Sequence, residues 1–236
     1  MRKLVIVLMC ICYSNVFGQS LVGAWEWTEM ENDREVKTTV IITDKYQVAT
    51  WYDANTGAFI ATNGGSWFLE GNTVTETVEF DTRDSSNVGN QISFDIEWDG
   101  SDRVKIVGME VWMTRVDGGA PGALAGAWLI SGRMRDGEIR ERSTDRPRKT
   151  MKILSGTRFQ WIAYNTETKQ FMGSGGGTYT TVDGKYTENI EFFSRDDNRV
   201  GASLEFNYEI KEGKWHHSGK SSKGDPMYEV WSIREK

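Results

Sequence analysis

The feature that most restricts how this chain can fold is an internal repeat. Leu21-Val22-Gly23-Ala24-Trp25 recurs as Leu124-Ala125-Gly126-Ala127-Trp128, and residues 52–98 match 164–210 without a gap, with about a third of the positions identical. Both copies end alike, in Glu110-Val111-Trp112-Met113-Thr114-Arg115 and Glu229-Val230-Trp231-Ser232-Ile233-Arg234. Conserved order and spacing across two copies imply one supersecondary unit of about a hundred residues, used twice. The stretch between them, Asp117-Gly118-Gly119-Ala120-Pro121-Gly122-Ala123, is too rich in glycine to hold a helix or strand. The expected units are therefore 19–117 and 124–236, with a linker at 118–123.

Inside each unit the apolar residues alternate. Ile92, Phe94, Ile96 and Trp98 share one face while Ser93, Asp95 and Glu97 share the other, and Leu204, Phe206, Tyr208 and Ile210 repeat the pattern. A period of two marks strands with one buried face. Turn signals such as Asp99-Gly100, Val182-Asp183-Gly184 and Lys211-Glu212-Gly213 cut each unit into about eight strands. Hairpin-linked strands of that number close most economically into an up-and-down barrel, which removes exposed sheet edges. The expectation is an all-β chain of two tandem eight-stranded antiparallel barrels.

The first residues follow another logic. Arg2 and Lys3 precede an apolar run from Leu4 to Ile11, and small residues end at Gly18, the pattern of a secretory signal peptide spanning 1–18. The run is too short to span a bilayer, and no transmembrane segment follows. The expected product is exported, periplasmic or extracellular. Cys10 and Cys12 are the only cysteines, so a cleaved chain has neither disulfide nor thiol chemistry. Without Arg2 and Lys3 it carries 26 basic against 34 acidic residues, which argues against general binding to nucleic acid or anionic membranes.

Gly23-Ala24-Trp25 and Gly126-Ala127-Trp128 resemble the Gly-x-Trp motif that opens a lipocalin, and Arg115 and Arg234 resemble the lipocalin arginine that lies over that tryptophan. More broadly, the chain resembles the tandem lipocalin-like (calycin-type) secreted proteins of Bacteroidetes, a domain-of-unknown-function family. The likeness is strongest from Ile153 to Arg234, through Phe159-Gln160-Trp161, Gly175-Gly176-Gly177-Thr178-Tyr179 and Lys214-Trp215-His216-His217. It implies a calycin-type barrel in each half, closed by Trp25 with Arg115 and Trp128 with Arg234. It implies no particular activity.

Comparison of the copies suggests where a site lies. The second is longer by nine residues before its second strand and by eight before its last, both in loops of one rim. Since a long first loop acts as a lid in lipocalins, the second barrel is expected to carry the open mouth. That loop holds Arg133, Arg135, Arg140, Arg142, Arg146, Arg148 and Lys149 among four acids, either a cationic lip or a solvated hairpin. Glu76 shares strand parity with Val74, Val78 and Phe80, and Glu188 with Tyr186, Ile190 and Phe192, so both carboxylates should face inward, as buried ion pairs or as functional acids. His217, aligned with Ile106, should face inward beside Trp215, and the neighbouring His216 outward, which disfavours a two-histidine metal site.

The candidate ligand-binding set is Arg158, Trp161, Tyr179, Glu188, Trp215 and His217. No catalytic, metal or cofactor motif stands out, and Gly175 to Gly177 lack the helix that a phosphate loop requires. The expected function is binding of an apolar or carbohydrate-derived small molecule, lipid-like or sugar-derived, in the second barrel. Two alternatives stay open: an isomerase or hydrolase using Glu188 and His217, and a protein-interaction scaffold with filled barrels.

Overall fold

The computed structural model describes residues 19–118, 122–221 and 224–235. The expected signal peptide and the centre of the linker lie outside the described residues. The first half forms β1 (Gly23–Glu31), β2 (Arg34–Ile42), β3 (Tyr46–Asp53), β4 (Phe59–Glu70), β5 (Thr73–Asp81), β6 (Gln91–Trp98), β7 (Arg103–Ile106) and β8 (Met113–Arg115). Each strand pairs antiparallel with the next, and β8 returns to β1 to close the barrel. The second half forms β9 (Gly126–Arg135), β10 (Glu138–Glu141), β11 (Arg148–Leu154), β12 (Arg158–Asn165), β13 (Gln170–Val182), β14 (Lys185–Phe193), β15 (Ser203–Lys211), β16 (Lys214–Lys220) and β17 (Pro226–Ile233). Its ring closes through β17 on β9, and both barrels are eight-stranded and antiparallel. The ninth strand, β10, pairs with the outer end of β9, so part of the arginine-rich segment is a two-stranded ribbon rather than an irregular loop.

Tight turns set the register. Asn32 and Asp33 both adopt positive φ (51° and 63°), which gives a two-residue hairpin the twist its flanking strands need. Bulges then alter which side chains face inward. Register shifts occur between Gly64 and Gly65 against β5, and between Gly176 and Gly177 against β14. Glycine is required at both sites, because a Cβ on Gly65 or Gly177 would collide with the carbonyl of Thr77 or Asn189. Beyond each bulge the parity inverts. Phe80 and Phe192, expected inward with Glu76 and Glu188, therefore face out, and Glu79 and Glu191 stand beside them.

These outward side chains join the barrels. Ile41, Tyr46, Val48 and Phe80 of the first pack against Ala127, Leu129, Met151, Ile153, Ile162 and Tyr164 of the second. The joint is approximately two-fold: Tyr52 stacks on Phe192 and donates to Glu191, while Tyr164 packs on Phe80 and donates to Glu79. Buried Gln160 crosses the centre, accepting from the Thr50 hydroxyl (2.7 Å) and donating to that of Thr62 (3.0 Å).

Closure of the barrels is alike at the tryptophan and differs at the arginine. Trp25 donates from Nε1 to the Leu21 carbonyl (2.8 Å), as Trp128 does to that of Leu124 (2.9 Å). Arg115 lies 4.1 Å over the Trp25 ring and donates to the Val22 carbonyl, as expected. Arg234 departs from expectation. A bulge between Val230 and Trp231 sets Ile233 opposite Trp128, and the Arg234 amide donates to the carbonyl of the next residue back, Ala127. That one-residue slip turns its side chain outward, where it lies 3.9 Å from the Tyr46 ring centre and forks onto Glu79 at 2.6 and 2.9 Å.

An apolar joint with buried polar crossings should hold without the covalent link. Protein cleaved at an engineered protease site between Gly118 and Gly122 is expected to elute as one species in gel filtration; separation of the halves under native conditions would contradict this packing.

Candidate ligand cavity

The interior of the first barrel is incompletely filled. A cavity of about 360 Å³ runs through it, walled by Trp25, Trp27, Trp51, Trp67, Phe94 and a set of aliphatic residues. Leu21, Trp25 and Met113 lie at the end that Arg115 closes. Glu29, Trp51, Arg83 and Met109 lie at the other end, where the β3–β4, β5–β6 and β7–β8 connections form the rim. At that rim Arg83 covers the Trp51 ring at 4.7 Å and approaches Glu31 at 3.7 Å, while Glu29 accepts from Trp27 Nε1 at 3.1 Å.

Glu76 projects from β5 into this cavity, beside Trp67 on β4. It is only 6% exposed, and its Oε1 has no hydrogen-bond partner. Burial pushes its carboxyl up to about 7, against the pull of the Gln47 side chain.

The second barrel is packed where the first is open. Trp128, Phe159, Tyr179, Tyr186, Phe206, Trp215 and Trp231 form its core. Glu188, the counterpart of Glu76, is met by Lys152 at 2.6 Å, both nearly fully buried. The Lys152 ammonium also lies 4.9 Å from the Tyr186 ring centre, 5.0 Å from that of Trp215, 5.4 Å from that of Trp231 and 5.8 Å from that of Phe206. The two interiors correspond strand by strand, since Lys152 pairs with Trp128 as Val40 pairs with Trp25. The same register sets Val74 against Tyr186, Val104 against Trp215 and Ala49 against Trp161. Small residues on one side and large ones on the other account for the difference in filling.

The six residues proposed from sequence thus have distinct fates. Tyr179, Glu188, Trp215 and His217 do converge inside the second barrel, but as mutually packed core. Trp161 packs at the edge of that core against Phe193, at 5.5 Å between ring centres. Arg158 faces the joint between barrels, bound to Glu26 (2.9 Å) and Glu191 (2.6 Å), because it shares the outward parity of Gln160. His217 is inward as expected, and its ring is enclosed by Phe206, Tyr186 and Trp215. Burial, reinforced by the Lys152 charge, holds its pKa below the ordinary value. Its carboxylate neighbour is Glu229, 3.7 Å from Nδ1, whereas Glu188 is committed to Lys152. The envisaged Glu188–His217 acid–base pair is therefore divided between two partners. His216 points the other way, onto the Tyr228 hydroxyl.

Of the arginine-rich segment, Arg133, Arg135, Arg140 and Arg142 line a shallow cleft over Ile130 and Gly132, with Arg133 bound to Glu229 and Arg140 to Asp136. Sequence reasoning looked to inserted loops and passed over Val40, Val74 and Val104. The signal that locates the cavity is the volume of inward residues compared copy by copy. No family model matches the chain, and no curated protein matches it either.

Two stability measurements follow from the paired glutamates. The folded-state pKa of Glu76 exceeds its unfolded value, so the buried carboxyl costs nothing below pH 4.5 and its cost grows to a maximum above pH 7, on the order of 3 kcal/mol. Urea unfolding of Glu76→Gln should show that much added stability at pH 8 and little at pH 4; an equal effect at both would contradict the assignment. In the second barrel, Lys152→Met strands a buried carboxylate and is expected to cost about 3–5 kcal/mol, most of it recovered in Lys152→Met/Glu188→Gln.

Proposed function

We propose that the protein binds a small, largely apolar molecule inside its first barrel, and that the second barrel is a filled structural companion. The observation that carries this reading is the cavity itself, left open by Val40, Ala49, Val74 and Val104 where the other copy places Lys152, Trp161, Tyr186 and Trp215. Its volume falls in the range of about 300–1,000 Å³ typical of ligand sites. Its lining also has the usual composition of such sites, aromatic walls with a few convergent polar groups, here Gln47, Asn63 and Glu76. The arrangement of Arg115 over Trp25 supports a lipocalin-like reading of the barrel, and the amino-terminal segment supports an exported carrier. The function is carriage rather than catalysis, a reading supported by the division of Glu188 and His217 between separate partners.

This reading relocates the site from the second barrel to the first and keeps the scaffold reading for the second alone. It is tested by titrating the neutral fluorophore N-phenyl-1-naphthylamine. One saturable site is expected in the natural chain. Val74→Tyr/Val104→Trp, which imports the filling residues of the second barrel, should abolish it. Undiminished binding by that variant would place the site elsewhere.

A further inference from the structure

We propose that the ligand of the first barrel carries a protonated amine, received by Glu76 as Glu188 receives the Lys152 ammonium. The inference rests on the first-barrel cavity being the ligand site and adds the chemistry of the ligand's polar end.

The second barrel contains the template. At its centre a primary ammonium sits 2.6 Å from a buried carboxylate and within 6 Å of four aromatic ring centres, so its charge is met by one anion and several π faces. In the first barrel the carboxylate is retained and the cation is not, because the lysine position is occupied by Val40. Glu76 Oε1 consequently has no partner, although it is buried and lines an open space. A buried acceptor left in this state costs free energy that a ligand donor recovers on binding.

The remaining charge of the cavity favours the same class. Its lining contains three charged residues, Glu29, Glu76 and Arg83, so carboxylates outnumber cations. Arg83 is held at the rim by Trp51 and Glu31. The tryptophan walls favour an organic cation further, since indole faces attract ammonium groups more strongly than other side-chain rings do. An apolar body would fill the aliphatic remainder of the space.

Displacement of N-phenyl-1-naphthylamine by decylamine and by 1-decanol, two probes of equal chain length, tests the assignment. Decylamine is expected to bind about tenfold more tightly or better, the effect of one charge-assisted contact in a buried site. In Glu76→Gln the ratio of the two affinities should fall to about one. Val40→Lys, which supplies the ammonium internally, should also remove the amine preference. If decanol binds the natural chain and decylamine gains nothing, the amine assignment is overturned and the ligand site stands. Persistence of the preference in both variants likewise overturns it. If neither probe displaces the fluorophore, the ligand-site reading fails, and this inference with it.

Discussion

A carboxylate inside a narrow β-barrel has to be neutralised, solvated or protonated, and the rest of this molecule is organised around two answers to that requirement. In the second barrel Glu188 meets Lys152, and the pair is sealed by Tyr186, Trp215 and Trp231. Charge and aromatic rings support one another there, and the side chains of that core pack against each other. In the first barrel Glu76 keeps its place without the lysine, and residues as small as Val74 and Val104 leave space in front of it. The same backbone thus yields a filled body and a hollow one through a handful of inward substitutions.

The outer faces are tied to the same framework. The glycine bulges that follow Glu76 and Glu188 invert strand parity, which turns Phe80 and Phe192 out beside Glu79 and Glu191 to build the joint between barrels. Because each tyrosine–glutamate contact has a counterpart related by an approximate two-fold axis, the joint resembles the self-complementary interface of a symmetric dimer enclosed within one chain. Arg234 strengthens one side of it by forking onto Glu79.

Much of this was legible in the residues alone. The repeat, the period-two alternation and the turn dipeptides specify strands and their number, and the Gly-x-Trp opening with Arg115 identifies how the first barrel closes. The inward placement of Glu76, Glu188, Trp215 and His217 followed from parity. What escaped parity did so at bulges: one extra residue, Glu79 in β5, Glu191 in β14 or Ser131 in β9, reverses the side chains beyond it, and no periodic pattern announces the reversal in advance. Arg234 and Phe80 fell to that cause. The cavity of the first barrel escaped for another reason. Loop lengths drew attention to the second copy, whereas cavity volume depends on inward side chains, and the aromatic residues that suggested stacking on a ligand, Trp161, Tyr179 and Trp215, pack against other rings of the core instead.

The most direct test of the account is the electron density inside the two barrels, in crystals of protein purified without refolding and then soaked with decylamine. The account requires an elongated feature in the first barrel with its polar end beside Glu76, and a second barrel filled by its own side chains around Lys152. A ligand seated against His217 in the second barrel, with the first barrel collapsed onto Glu76, would contradict it.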